Sequence, residues 1–229
     1  MRSGNESEGG AALQGRRGFL VHAALTALTL PIAAAAQPRP APSDEVHIFA
    51  LGDSLTAGFG LPRELGFVPQ LEAHLRRHGV PARLTNAGVS GDTAAQGLRR
   101  LAWTLDGLER KPDLAIVALG ANDMLRRLPV AQTRAALDSI LAELARREVK
   151  LLVAGMIAAP NLGPDYANAY SPMFAELARA HDAAFHPFLL DGVAGDRALN
   201  QADGLHPNFQ GVKRMVSAIT PRVIEALRQ

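Results

Sequence analysis

From Val46 onward the chain alternates short apolar runs with stretches whose apolar residues recur at helical spacing. Val46–Leu51 is rich in β-branched and aromatic residues and reads as a buried strand. A short helix follows at Ser54. Phe67–His78 carries Val68, Leu71 and Leu75 on one helical face and stops at Gly79. Arg83–Ala87 reads as a second strand, after which Gly88-Val89-Ser90-Gly91 turns into a helix that Asp92 or Thr93 can cap. Asp113–Leu119 is the cleanest strand, because an unbroken Leu-Ala-Ile-Val-Ala-Leu run suits burial on both faces. Gly120-Ala121-Asn122-Asp123 closes it.

Pro129 opens a helix to about Arg147, with Leu137, Ile140, Leu141 and Leu144 in one stripe. Val149–Gly155 reads as a fourth strand. Ala158–Ala169, dense in Pro, Gly and Asn, reads as a long loop. Tyr170–His181 predicts a helix, Ala183–Phe188 a fifth strand, and Leu189–Pro207 an irregular segment. In the final helix, from about Phe209, Val212, Met215, Val216, Ile219 and Val223 face inward, and Pro221 predicts a kink. Five strands alternating with helices imply an α/β fold whose parallel sheet is covered on both faces through right-handed crossovers. In such folds functional residues gather at the carboxyl ends of strands, where Ser54, Gly91 and Asn122 all fall.

Composition adds little chemistry. The 229 residues are 48% hydrophobic and 20% charged with a net charge of +2, which fits one globular domain and gives no pull toward nucleic acid. Four arginine pairs (76–77, 99–100, 126–127 and 146–147) are spread along the chain and read mostly as solvated helix faces. Residues 1–36 have the plan of an export signal: Arg16-Arg17-Gly18-Phe19-Leu20, an apolar run from Val21 to Ile32, then small residues. The paired arginines resemble the twin-arginine signal, which exports folded cargo. The apolar run is short for a retained anchor. Residues 37–44 read as a linker and 45–229 as the folded domain. With no cysteine there is neither a disulfide nor a lipidated anchor. The expectation is a soluble exported monomer, periplasmic or secreted.

Ser54 follows the first strand at a helix start, a position that suits a helix cap and a nucleophile equally. Acyl transfer by a serine needs a base, a group that orients the base, and donors for the oxyanion. Asp203-Gly204-Leu205-His206-Pro207 offers an acid and a histidine three apart in one loop. The alternative use of Asp203 and His206, as metal ligands with Asp191 or Asp196, lacks a suitably spaced second histidine. Asp53, Asp92 and Asp123 read more simply as caps and turn formers.

Four blocks in this order resemble the SGNH (GDSL) hydrolase family: Gly52-Asp53-Ser54-Leu55, Asn86 to Thr93, Gly120-Ala121-Asn122-Asp123 and Asp203 to Pro207. The likeness spans the chain from Val46 to the final helix and is nearest to the thioesterase I, lysophospholipase L1 and arylesterase branch. It implies a flavodoxin-like three-layer α/β/α fold with a five-stranded parallel sheet. It further implies Ser54 as nucleophile, His206 as base and then acid, and Asp203 as its orienting group. The Ser54 amide, the Gly91 amide and the Asn122 side chain become the oxyanion donors, and no metal or cofactor is implied.

The leading reading is a serine esterase acting on small-molecule or lipid esters. Met124–Leu128 and the Ala158–Ala169 loop follow the third and fourth strands and should border the pocket. Met124, Leu125, Met156 and Leu162 would give it an apolar lining suited to acyl or aryl groups. A carbohydrate O-acetylesterase ranks second, because aromatic residues make up only 5% of the chain and the single Trp103 falls in a predicted helix. A non-catalytic envelope binding module ranks last, since every catalytic role has an occupant.

Overall fold

The computed structural model describes residues 45–229; the expected export signal and linker lie outside the described residues. Five parallel strands form one sheet in the order β2-β1-β3-β4-β5: β1 (Val46–Gly52), β2 (Ala82–Gly88), β3 (Leu114–Ala118), β4 (Lys150–Ala154) and β5 (Ala184–His186). The strand order reverses between β1 and β3, which in open α/β sheets is where the crevice for a ligand opens. Register makes that crevice level. Gly52 pairs with Gly88 on one side and Ala118 on the other, so β1, β2 and β3 end side by side.

Every residue of β3 is buried, as its unbroken apolar run requires of a central strand covered on both faces. The amphipathic helices α2 (Phe67–Arg77) and α7 (Phe209–Arg228) pack on each other; α3 (Ala94–Asp106) packs on α5 (Val130–Arg146), and α5 on α6 (Pro164–Ala180). The right-handed crossover rule puts these two groups on opposite faces of the sheet. Phe67, Leu71 and Leu75 from α2 and Ile219 and Val223 from α7 are fully buried, as are Leu144 from α5 and Met173 from α6.

Three segments differ from the sequence reading. The stretch 158–169 is not one long loop: a 3-10 turn covers Pro160–Leu162, and α6 starts at Pro164, ahead of Tyr170. A proline at the first helical position needs no backbone donor, so the Gly163-Pro164 pair starts a helix here. Gly120–Asp123 does more than close β3, because Ala121–Leu125 forms a short helix, α4. The last helix is continuous through Pro221, whose ring is exposed. Ser217, whose carbonyl loses its intrahelical donor there, is also exposed, so water can satisfy that group.

Candidate active site

β1 ends at Gly52, and the four-residue helix α1 (Ser54–Ala57) begins two residues later. This needs glycine: a Cβ on Gly52 would sit 1.9 Å from Thr56 Oγ1 and 3.0 Å from the Ala118 carbonyl. Asp53 caps α1, its Oδ1 accepting the Leu55 amide at 3.0 Å. Ser54 is thereby held at the crevice, with its Oγ 2.9 Å from His206 Nε2.

His206 comes from the irregular segment before α7 and brings Asp203 with it. Asp203 Oδ2 lies 2.6 Å from His206 Nδ1, while Oδ1 accepts the backbone N–H groups of Leu205 at 2.9 Å and His206 at 3.0 Å. The His206 amide first, then its imidazole and the Leu205 amide, hold the Asp203 carboxyl down at about 2. An ionised Asp203 fixes the proton on Nδ1 and turns the Nε2 lone pair toward Ser54. The segment is tied to the Ser54 loop by Gln201. Its Nε2 donates to the Phe59 carbonyl at 2.8 Å and the Pro207 carbonyl at 3.0 Å, and its backbone N–H donates to the His206 carbonyl at 2.7 Å. Phe59 in turn lies against the imidazole, ring centroids 4.5 Å apart.

Gly91 and Asn122 stand at the neighbouring strand ends. Gly91 has φ +85°, a left-handed conformation that favours glycine, and Arg126 donates to its carbonyl at 2.7 Å. Among the described residues, neither the Ser54 amide nor the Gly91 amide has a hydrogen-bond partner. Asn122, in the first turn of α4, donates its side-chain amide to the Asp92 carbonyl at 3.1 Å and Asp53 Oδ2 at 3.3 Å. Tyr170 O–H donates to the Gly120 carbonyl at 2.8 Å and so holds the start of α4. Burial pushes the Asp53 carboxyl up to about 6, against the opposing pull of the Leu55 amide, Asn122 and His206.

A cavity of about 120 Å³ opens between Ser54, Asn122 and His206, walled by Leu55, Met124, Leu125, Met156, Leu190 and Leu205. Of the four residues expected to line the pocket, Met124, Leu125 and Met156 are in this wall, whereas Leu162 packs against the core at the end of its 3-10 turn and is not part of this lining. A larger hollow of about 360 Å³ lies at the amino edge of the sheet, between Glu45, His47, Arg83 and Arg110, away from these groups. After each strand's carboxyl end the chain exposes one large apolar residue: Phe59, Val89, Leu125, Ile157 and Leu205, of which Leu125 and Leu205 line the small cavity.

Two arginines read as solvated have work at the site. Arg100 donates from Nε to Asp92 Oδ2 at 2.7 Å and from its terminal nitrogen to the Gly52 carbonyl at 3.0 Å. The sequence signal is its place on the inner face of α3, in line with buried Gly97 and Leu101. Arg126 gives no such signal, because its partner, a backbone carbonyl on another loop, leaves no trace in the sequence. Thr93 rather than Asp92 caps α3, in a capping box with Gln96, which frees the Asp92 carboxylate for Arg100.

A serine, histidine and aspartate linked in series beside unpaired backbone donors, at the switch point of a parallel sheet, can carry out acyl transfer. That arrangement defines the class of serine acyl hydrolases. The sequence matches the GDSL-like Lipase/Acylhydrolase family over residues 50–214, and the chain belongs to that family. It is therefore an enzyme, a GDSL-type hydrolase. It is 39% identical over 175 residues to Esterase TesA of Pseudomonas aeruginosa, covering 76% of this chain and 86% of that protein. It is 32% identical over 170 residues to the Thioesterase 1/protease 1/lysophospholipase L1 of Escherichia coli K12, covering 74% and 78% of the two chains. Among solved structures, the SGNH-hydrolase family esterase AlinE4 superposes with a TM-score of 0.69 at 45% identity, over 81% of this chain and 98% of its own.

Proposed function

We propose that this hydrolase is a metal-independent esterase that cleaves carboxylic esters through an acyl-enzyme on Ser54. The observation that carries the reading is the linked pair of contacts, Ser54 Oγ to His206 Nε2 at 2.9 Å and His206 Nδ1 to Asp203 Oδ2 at 2.6 Å. His206 takes the Ser54 proton as Oγ bonds to the substrate's carbonyl carbon, and the carbonyl π pair moves onto oxygen. The Ser54 and Gly91 amides and the Asn122 side chain donate to that oxyanion. Collapse of the intermediate expels the alcohol, phenol or thiol, which receives the proton from His206. Water, deprotonated by the same imidazole, then attacks the acyl-enzyme and releases the acid.

The cavity is small, about 120 Å³, and apolar-walled, which suits short acyl chains such as acetyl to butyryl. Longer chains, aryl leaving groups or a lysophospholipid would extend over the exposed Leu125 and Leu205 at its mouth. Export to the periplasm or beyond as a monomer completes the reading. It is supported by the twin-arginine pattern at Arg16-Arg17 and by every proposed catalytic group coming from one chain. No helix among the described residues is long and apolar enough to cross a membrane.

Steady-state hydrolysis of p-nitrophenyl butyrate by wild type, Ser54→Ala and His206→Ala tests the chemistry. Both variants should lose at least about 10³-fold in kcat. Full turnover by Ser54→Ala would overturn the mechanism, and faster acetate release from acetylated xylan than from aryl acetates would move the substrate class to carbohydrate.

A further inference from the structure

The three oxyanion donors are not equally ready. Among the described residues the Ser54 and Gly91 amides have no partner, whereas the one nitrogen of the Asn122 side chain has an acceptor for each of its two hydrogens. Those acceptors belong to different loops. The Asp92 carbonyl adjoins Gly91, and the Asp53 carboxylate adjoins Ser54. Asp53 is 1% exposed, and each of its oxygens has a separate duty: Oδ1 takes the Leu55 amide of the nucleophile's own turn, and Oδ2 takes Asn122.

We propose that Asp53 is a positioning residue of the oxyanion site: one buried carboxylate fixes the Asn122 amide relative to the turn that presents Ser54. The proposal rests on the reading of Asn122 as an oxyanion donor. A carboxylate suits this place because it accepts at both ends. An asparagine of the same shape offers one accepting end only, so it must leave either Leu55 N–H or Asn122 facing another donor. A capping role alone does not require aspartate, since serine caps helices as well. The contact to Asn122 is longer than an ordinary amide–carboxylate bond. It therefore steers the amide without tying it down, and leaves a hydrogen that can turn or be shared with an oxyanion as charge develops. Three other titratable groups influence this carboxyl: His206 from the loop before α7, Asp123 on α4 and Tyr170 on α6.

The test is a double-mutant cycle on p-nitrophenyl butyrate with wild type, Asn122→Ala, Asp53→Asn and the double variant, with Asp53→Ser as a second probe. Asp53→Ser keeps a capping oxygen but is too short to reach Asn122, so it separates the two duties and carries the test if Asp53→Asn does not fold. Asn122→Ala should lower kcat about 10²–10³-fold. Asp53→Asn and Asp53→Ser should lower kcat about tenfold or more with KM changed less than about threefold, as for other groups that orient a working ligand. In the Asn122→Ala background either Asp53 variant should cost no more than about twofold further, because Asp53 acts through Asn122. Kinetics of Asp53→Asn and Asp53→Ser within twofold of wild type, or losses that multiply in the double variant, would overturn the proposal while leaving the oxyanion reading intact. An unchanged kcat for Asn122→Ala would overturn that reading and the proposal together.

Discussion

Arg100 and Asp92 form an ion pair at 2.7 Å behind the crevice, their side chains only 19% and 10% exposed. The same guanidinium reaches the Gly52 carbonyl, so one side chain on α3 braces the loops that carry Ser54 and Gly91. Because water screens this pair poorly, removing one partner strands the other. Arg100→Ala should cost about 2–3 kcal/mol of stability, within the range for hydrogen bonds to charged groups. Calorimetry should show Tm lowered by roughly 5–10 °C. Arg99→Ala, on the exposed neighbour, should change little. Equal effects at the two positions would contradict the bracing role.

Gly91 tests the backbone donor. A Cβ there would meet nothing closer than the Arg126 guanidinium at 3.6 Å, so space does not forbid alanine, but φ +85° does. Holding an L-residue in the left-handed region costs about 1–2 kcal/mol, which the loop relieves by turning the Gly91 amide away. Gly91→Ala should therefore lower kcat roughly 5–30-fold with a smaller change in KM. A kcat equal to that of wild type would show that this amide takes no part.

Asp53 links pH to stability. Its carboxyl rises from 3.8 to about 6 on folding, chiefly through burial, so the native protein holds this proton more tightly than the unfolded chain. Its contribution is present at low pH and lost as pH rises through about 6, where the buried group must ionise. A shift of this size corresponds to roughly 3 kcal/mol as an upper figure. Urea unfolding of wild type and Asp53→Asn should show the wild type gaining about 1–1.5 kcal/mol relative to the variant between pH 8 and pH 5. A difference that stays constant across that range would contradict an ionisable buried Asp53.

The acyl cavity should be adjustable from its wall. Met156 is 6% exposed and lines the cavity. Truncating it opens roughly two or three methylenes' worth of space in a site lined by apolar neighbours. Met156→Ala should move the optimum on a p-nitrophenyl ester series to longer chains, from about butyrate toward hexanoate or octanoate. Leu162→Ala, outside the lining, should leave the optimum where it is. A shift at Leu162 alone would place the acyl group elsewhere.

The sheet was legible because its strands are nearly continuous apolar runs, and β3 is buried at every position. Three of the four blocks were legible because they sit at or just past strand ends, which parallel topology levels at Gly52, Gly88 and Ala118, and the fourth because Asp203 and His206 stand three apart in one irregular segment. Other features depend on what topology brings together. Arg100 and Arg126 each donate to a backbone carbonyl 48 and 35 residues away, and carbonyls have no sequence identity. Phe59 and Gln201 meet across 142 residues by the same route. The start of α6 escaped because Gly163-Pro164 marks a loop and a helix entry equally well, and the packing of Tyr170 and Phe174 into the core favours the helix.

Asp203 accepts the backbone amides of Leu205 and His206 and meets the His206 imidazole, so Asp203 and His206, three residues apart, behave mechanically as one part. Movement of their loop carries both together and leaves the Nδ1 contact unchanged. The contact that joins the two loops at the site is the 2.9 Å span from Nε2 to Ser54 Oγ, and Gln201 ties the same two loops beside it. Heat or mutation acting on this loop should thus part Ser54 from an Asp203–His206 pair that is itself still assembled.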